Sequence, residues 1–171
     1  MADTPGDSQR DAIRIEVSRI HESAVYSAQG QFEAAKLWRI VHWSMGALTA
    51  AMSTLAAVIT FASDLQVASG VLAVLAAVAA AVLTGVRPDK LAERAQGSGN
   101  DYTSLRNDAR RLRDILAPVD ALPELRDALV QLAERASDLD HAADPIPRLA
   151  YWLAKCNIER DKGQQFEVDQ P

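Results

Sequence analysis

The chain contains few of the residue types from which most chemical sites are built. Cys156 is its only cysteine, which excludes an intramolecular disulfide and a thiolate metal cluster. The three histidines, His21, His42 and His141, lack a second histidine at the three- or four-residue spacing that forms a metal pair on a helix. The sequence also contains no glycine-rich nucleotide motif, nucleophile elbow or zinc-protease motif. We therefore predict a protein that is not an enzyme and that has no cofactor or metal.

Charge is absent from two long stretches. Residues 40–63 and 65–86 contain no Asp, Glu, Lys or Arg, and each exceeds the roughly 20 apolar residues that cross a bilayer. The alternative is a pair of hydrophobic helices buried inside a water-soluble protein, but such helices seldom stay uncharged for more than about 18 residues. The rest of the 171-residue chain is also too short to cover them on every side. We predict transmembrane spans at about 40–62 and 66–86.

The two spans are expected to form a hairpin. One continuous helix over residues 40–86 would be about 70 Å long, more than twice the hydrocarbon thickness, and would hold Asp64 inside the bilayer. A turn at residues 62–65 avoids both problems. Basic residues flank the outer ends of the spans and are absent from the turn, so the positive-inside rule predicts that both termini are cytoplasmic. These flanking residues are Lys36, Arg39, Arg87, Lys90 and Arg94.

The remaining sequence predicts a cytoplasmic helical bundle, which makes the protein all-α. Apolar residues recur every three or four positions between breaks at Pro88, at the "GSGN" of residues 97–100, at Pro118 and at the "DPIP" of residues 144–147. We predict one domain over residues 10–163, with a disordered start at 1–9 and a disordered tail at 164–171. The predicted cytoplasmic helices cover about 10–38, 101–117, 120–141 and 148–160, and the first continues into the first span.

Each of these helices has an apolar face that predicts its buried side. The faces consist of Ile13, Val17, Ile20, Ala24, Ala28, Phe32 and Ala35; of Tyr102, Leu105, Ala109, Leu112 and Leu116; of Leu122, Leu125, Leu129, Leu132, Ala136 and Leu139; and of Leu149, Trp152, Leu153 and Cys156.

Small and polar residues form a stripe along the first span. They recur in steps of three and four residues, whereas Leu48, Met52, Leu55 and Ile59 lie away from them. In lipid, small residues and hydroxyls gather where helices pack closely, so a dry helix interface is one interpretation. A water-filled pore in an oligomer is the other, and the spacing alone favours the interface. The stripe consists of His42, Gly46, Thr49, Ser53, Ala56, Thr60 and Ser63.

The second span carries its own small-residue ridge, which could pack the hairpin and leave the stripe of the first span free. The ridge consists of Ser69, Ala73, Ala76, Ala80 and Thr84, with Ala77, Ala81 and Gly85 beside it.

One basic cluster, Arg106, Arg110, Arg111 and Arg113, follows the second span, and Arg106, Arg110 and Arg113 are its candidate ligand residues. It could bind an anionic ligand such as a nucleotide phosphate or a lipid headgroup. Asp108 and Asp114 interleave with the arginines, however, and ion pairs within the helix would make the cluster an ordinary solvated face. The second interpretation is favoured by the sequence.

Three stretches resemble the SLATT family, bacterial two-helix membrane proteins named for their association with SMODS nucleotidyltransferases and SLOG ligand-binding domains. They are "AVYSAQGQFEAAKLWRIVHW" (24–43), "RPDKLAERAQGSGNDYTSLRNDARRLRDI" (87–115) and "PIPRLAYWLAKCNIERDKG" (145–163). Members often carry a histidine between the basic exit of the second span and the tyrosine that corresponds to Tyr102. Ala95 occupies that place here, so no role of that histidine transfers to this chain.

The resemblance implies an effector that assembles in the bacterial inner membrane and permeabilises it in a conflict or antiphage system. It also implies a separate partner, either a sensor or a synthase of a nucleotide second messenger. We therefore predict a homo-oligomeric pore that contacts the lipid bilayer, and the net charge of −5 disfavours nucleic acid as a partner. A non-conducting scaffold that recruits partners through its cytoplasmic helices is the alternative, and a small-molecule sensor that uses the arginine cluster is a third.

Overall fold

The computed structural model describes residues 5–62, 66–117 and 121–160, and every regular element in these ranges is a helix. The predicted turn at 62–65, with Ser63 and Asp64, the Pro118 break and the tail at 164–171 therefore lie outside, or almost wholly outside, the described residues. The helices are α1 (Pro5–Ala62), α2 (Gln66–Val86), α3 (Pro88–Arg111), a π-helical segment (Leu112–Leu116), α4 (Leu122–Ala142) and α5 (Arg148–Glu159).

Helix α1 runs without interruption through 58 residues. This continuous helix confirms the prediction that the N-terminal helix continues into the first apolar stretch. Residues 37–41 contain no glycine or proline that would interrupt it. The helix begins at Pro5, whereas the sequence predicted a disordered start through residue 9. Proline is well suited to a first helical turn because its missing N–H would have no helical partner there.

The chain divides into two compact units. One unit is Ala35–Glu93, which holds the apolar half of α1 together with α2. The other combines Met1–Ala34 with Arg94–Pro171 and contains most of the charged helices. We call them the apolar unit and the helical unit.

The apolar unit leaves most of its hydrophobic surface exposed. In the most apolar 18-residue stretch of each long helix, 6% of the α1 residues and 11% of the α2 residues are buried. Within residues 40–61 and 66–86, the buried side chains are those of three small residues, Ala56, Ser69 and Ala76. Both helices are long and apolar enough to cross a membrane, and exposure on this scale is not that of the core helices of a soluble protein.

Arg87 turns the chain between α2 and α3. Its φ of 51° lies in the left-handed region, which a residue with a Cβ rarely occupies. Its N–H donates to the Leu83 carbonyl at 3.1 Å, and its own carbonyl accepts from the N–H groups of Lys90 and Leu91 at 2.9 and 3.2 Å. Pro88 disfavours a helical conformation at the residue before it, so the predicted break at this proline is confirmed.

The core of the helical unit lies where α1, α3 and α4 contact each other. The predicted apolar faces of these helices supply most of it, so those predictions are confirmed. The buried residues are Ile13, Val17, Ala24, Ala28, Tyr102, Leu105, Ala109, Leu112, Ala117, Leu125 and Leu132, and Ile20, Phe32, Ala128, Leu129, Ala136, Leu139 and Ala143 pack against them.

The predicted break at residues 97–100 is wrong, because α3 continues through them. Gly99 is buried in this helix. A Cβ built there would lie 2.7 Å from Cε1 and 2.8 Å from Cδ1 of Phe32. The glycine therefore lets the Phe32 ring reach the backbone of α3. Gly97 has open space around its Cα instead, so only one of the two glycines serves packing.

The two glycines provide a matched pair of substitutions. Gly97→Ala is expected to stabilise the protein by up to about 1 kcal/mol, because alanine is the better helix former. Gly99→Ala gains the same propensity but displaces the Phe32 ring, at a cost of about 1–3 kcal/mol for overpacking. Thermal unfolding of both variants should place Gly99→Ala below Gly97→Ala. Adding Phe32→Leu to Gly99→Ala should narrow the gap, and equal stabilities would contradict the close approach.

The π-helical segment changes which residue is buried at the end of α3. The sequence predicted that Leu116, four residues after Leu112, continues the buried face. Leu116 is instead 40% exposed, and Ala117 is 4% exposed. The Ala117 N–H donates to the Leu112 carbonyl at 2.9 Å, the five-residue step of a π-helix. The wider turn moves the buried position one residue along the chain.

Helix α5 uses a different face from the one predicted. Ala150 and Ala154, one turn apart, are buried, while Leu149 and Trp152 are more than half exposed. Leu153 and Cys156 are half-buried. Small side chains allow closer helix contact than the leucine and tryptophan would, which explains why the alanines form the contact face.

Candidate functional site: the polar stripe and the arginine cluster

The residues of the polar stripe in the first predicted span differ in how far they are buried. Ala56 is buried and Thr49 is half-buried, whereas Ser53 and Thr60 are exposed. Met52 and Ile59, expected to lie away from the stripe, are themselves half-buried. The covered face of α1 therefore includes His42, Gly46, Thr49, Met52, Ala56 and Ile59, with Ser53 and Thr60 at its open side.

Most hydroxyls in this half of α1 donate to their own helix. Thr49, Thr54 and Thr60 donate to the carbonyl four residues earlier, at 2.8, 2.9 and 2.8 Å. Ser44 donates to the Val41 carbonyl at 3.2 Å. These bonds satisfy the hydroxyls without water or a second helix, so their presence alone does not indicate a pore.

Ser53 differs from the other stripe hydroxyls. It is exposed, and its side chain forms no hydrogen bond with the part of the chain that the structure describes. A hydroxyl without a partner is unfavourable in hydrocarbon. Ser53 is therefore the stripe hydroxyl that would gain most from a polar neighbour.

His42 contributes a second unpaired polar atom at the start of the stripe. Its Nδ1 is buried and has no hydrogen-bond partner among the described residues. The imidazole meets the Trp43 ring edge-on, with 5.9 Å between centroids and 80° between planes. Burying an unpaired polar atom costs about 1–3 kcal/mol, so a hydrogen-bonding neighbour would stabilise this end of the span.

The ridge of the second predicted span is split in the same way. Ser69 and Ala76 are buried and Ala80 is half-buried, whereas Ala73 and Thr84 are exposed. The Thr84 hydroxyl donates to the Ala80 carbonyl at 2.9 Å. Three of the five ridge residues are thus covered, and the other two remain available to a neighbour.

The five basic flanking residues are all exposed. Two precede the apolar half of α1, one lies at the α2–α3 junction, and two lie on the first turns of α3. Lys90 forms an ion pair with Glu93 at 2.7 Å. The flanking residues are Lys36, Arg39, Arg87, Lys90 and Arg94.

The candidate ligand residues of the arginine cluster lie on one face of α3 and the π-helical segment, opposite Asp108. Asp108 forms an ion pair with Arg135 of α4 and another with Arg111 at 3.5 Å. The predicted ion pairs within the helix are therefore present, Asp108 with Arg111 and Asp114 with Arg113, but Asp108 forms none with Arg106 or Arg110. At 3.6 residues per turn, Asp108 and Arg111 project away from Arg106 and Arg110.

Asp114 remains as the counter-charge of the cluster. Arg113 donates from Nε to Oδ1 at 2.7 Å and from Nη2 to Oδ2 at 3.0 Å of this carboxylate. These bonds lower the pKa of Asp114. Burial, followed by the charge of Arg110, lowers the pKa of Arg106, so the guanidinium groups are close enough to repel one another.

His21 of α1 faces this cluster. Burial is the largest cause that lowers its pKa, followed by the charges of Arg113 and Arg106, while Asp114 acts in the opposite direction. In the sequence, His21 is an isolated histidine with no partner at helical spacing. Only the packing of α1 against α3 brings it to the arginines, and no local spacing could have indicated the contact.

Two further polar groups were also missed. Gln29 and Glu33 are buried side by side on α1, and Gln29 Nε2 donates to Glu33 Oε1 at 2.9 Å. The buried hydroxyl of Tyr102 donates to Asp140 Oδ1 at 2.7 Å. Burial, and then this bond, raises the pKa of Tyr102. An apolar stripe cannot identify buried polar residues, because it reveals only the faces that are uniformly apolar.

A cavity of about 330 Å³ lies between the end of α3 and α4, on the side opposite the candidate ligand residues of the arginine cluster. Leu112, Leu116 and Leu132 form its apolar wall, and the Asp108–Arg135 ion pair lies at its polar side. Within the described ranges, no group of three or more His, Cys, Asp or Glu residues could hold a metal ion.

Comparison of the chain with protein-family models, with curated proteins and with solved structures found no match.

Proposed function

We propose that this protein is a membrane-embedded effector that oligomerises into a pore and permeabilises the inner membrane of a bacterium. The apolar halves of the chain form a transmembrane hairpin, and both termini lie in the cytoplasm. The role in a conflict or antiphage system rests on the resemblance to the SLATT family, which also supplies the expectation of a separate sensor or second-messenger synthase.

The observation that carries the proposal is the exposure of the two apolar helices. A soluble protein would leave most of two long hydrophobic surfaces in water, at about 25 cal/mol for each Å² of apolar area. A bilayer removes that cost. The exposed flanking cations favour the proposed orientation, since Lys and Arg concentrate on the cytoplasmic side.

Oligomerisation is supported by the surfaces that the apolar unit leaves uncovered. Ser53 and Thr60 on α1 and Ala73 and Thr84 on α2 are exposed small residues. Small residues and hydroxyls are typical of helix contacts in lipid. The unpaired Ser53 hydroxyl favours an assembly in which this face of α1 meets water or a hydroxyl of another protomer.

Ser53→Leu is expected to reduce leakage through the pore at least tenfold. Leucine replaces the polar surface with a larger apolar side chain, which closes a narrow pore by dewetting. The measurement is dye and potassium release from vesicles that contain the purified protein, together with crosslinking to count protomers. Leakage should fall while the crosslinked species stay the same.

Thr54→Leu is the matched control. Thr54 is the next residue, is also exposed, and donates to its own helix, so its replacement should leave leakage unchanged. If both variants leak like the unmodified protein, the Ser53 face is not the conduction path. If no trigger produces leakage from the unmodified protein, the pore proposal fails.

The second candidate is a non-conducting scaffold, and the exposed side of α5 is the observation that favours it. Leu149, Tyr151 and Trp152 are each more than half exposed, which is typical of surfaces that contact other proteins. Leu125 and Leu132 of α4 are buried in the core, so a partner surface on those leucines is not available. If the protein is a scaffold, Trp152→Ala should abolish partner binding and leave leakage unchanged.

A further inference from the structure

We propose that His21, Arg106, Arg110 and Arg113 form a binding site for a phosphate group that carries two negative charges. The site lies between α1 and the end of α3, entirely within the helical unit. It is independent of the pore proposal, because it depends on no residue of the apolar unit. The shared chemistry is a phosphate, supplied either by a soluble ligand or by a lipid headgroup.

The spacing of the arginines brings their guanidinium groups together. Arg106 and Arg110 are one turn apart on α3, and Arg113 follows three residues later, so all three lie on one face. His21 approaches from α1, where it is half-buried. A guanidinium offers a planar set of donors that matches phosphate oxygens.

The charges at the site are not balanced. The groups whose charges reach His21 are three arginines and Asp114, and Asp114 engages two nitrogens of Arg113. Arg110 is exposed and forms no hydrogen bond or ion pair with the described residues. Asp108 pairs with residues on the other side of α3. The positive charge of Arg110 therefore remains for an anion to neutralise.

Repulsion among these cations is strengthened because His21, Arg106 and Arg113 are held at half-buried positions. Removal from water strengthens the mutual repulsion, because the local dielectric constant is lower than that of water. Arg106 and His21 both have a pKa below the usual value, with burial as the largest cause. A phosphate placed among them would reverse the sign of the local field.

The protonation of His21 gives the site a pH dependence. In the free protein its pKa lies below 6.5, so the imidazole is neutral at pH 7.5. A bound dianion favours the imidazolium and raises that pKa, so binding takes up a proton. Affinity should therefore rise as the pH falls from 7.5 towards 6.5, where a phosphate with a second pKa of about 6 still keeps most of its second charge. The groups that face His21 and remain charged across this range are the three arginines and Asp114.

The test measures pyrophosphate binding by calorimetry, with the full-length protein in nanodiscs of neutral phosphatidylcholine and a phosphate-free buffer. A second arm measures retention of short-chain phosphatidic acid by native mass spectrometry. Arg106→Gln with Arg110→Gln should weaken binding at least tenfold, as expected for the loss of charged hydrogen bonds. If binding saturates with only one ligand, pyrophosphate or phosphatidic acid, that ligand identifies the source of the phosphate.

Arg126→Gln is the matched control, because Arg126 is an exposed arginine of α4 that donates to Gln9 rather than joining the cluster. It should bind like the unmodified protein. His21→Gln should flatten the rise in affinity at low pH while retaining binding at pH 7.5. Weak binding in both arms, or an equal loss in Arg126→Gln and in the cluster variant, would overturn the site. Arg110→Gln alone, at an exposed position, should give a partial loss that a folding defect would not explain.

Discussion

Val74→Arg should lower the insertion of α2 into a membrane by about 100-fold. Val74 is 63% exposed and lies two residues, or about 3 Å, from the midpoint of α2. An arginine near the centre of a span costs about 2.5–3.5 kcal/mol on insertion scales, and each 1.4 kcal/mol is a factor of ten. Glycosylation sites on either side of α2, translated in the presence of microsomes, report the inserted fraction.

Val130→Arg is the matched control for this substitution. Val130 is 54% exposed on α4, which lies outside the proposed spans. Its exposure is similar to that of Val74, but no contact with lipid is proposed for it. Its replacement is expected to change the free energy of unfolding by less than about 0.5 kcal/mol, as for most exposed positions. Insertion of α2 should also be unaffected by this variant.

The pair of valines distinguishes a membrane from water as the solvent around α2. In water, an exposed Val74 would accept arginine as readily as Val130 does, since a charged surface residue has no desolvation cost. In a bilayer, the same exposure makes the substitution expensive. If Val74→Arg inserts as well as the unmodified chain, the transmembrane proposal is contradicted despite the length of α2.

Much of the fold could be predicted from the sequence because helical periodicity determines which side of each helix is buried. The spacing of Val17, Ala24 and Ala28 identified the covered face of α1, and that of Leu105 and Ala109 identified the covered face of α3. Charge-free length identified the two long apolar helices. These signals are local, so they can be read before any tertiary contact is known.

The errors occurred where tertiary contacts determine the local structure. The glycines at residues 97 and 99 are typical of a break, yet packing of Phe32 against Gly99 keeps the helix continuous. The π-helical turn at Leu112–Leu116 shifted the buried position to Ala117. A sequence pattern with a period of 3.6 residues cannot reveal a five-residue step.

The arginine cluster was predictable and its environment was not. Helical spacing places Arg106 and Arg110 on one face, and it also predicts the ion pairs of Asp108 with Arg111 and of Asp114 with Arg113, which are present. The spacing does not reveal that Asp108 also pairs with Arg135 of α4. Because Arg135 and His21 come from other helices, only the packed structure shows these neighbours.

Leu105→Ala is expected to produce the second large effect, a loss of stability that is confined to the helical unit. Leu105 is 1% exposed and lies within the core where α1, α3 and α4 meet. Removing its isobutyl group loses transfer free energy and leaves a cavity, at a cost of about 2–5 kcal/mol.

Hydrogen exchange measures this loss without unfolding the apolar helices. The amides of residues 100–110 should exchange about 30 to 4,000 times faster in Leu105→Ala, which corresponds to the loss of 2–5 kcal/mol. The amides of residues 70–82 in α2 belong to the apolar unit and should keep their rates. Leu149→Ala removes the same atoms from a leucine that is 56% exposed, and it should change the exchange of residues 100–110 by less than about threefold. Similar acceleration in both variants would show that Leu105 is not a core residue, because burial is the property that separates the two leucines.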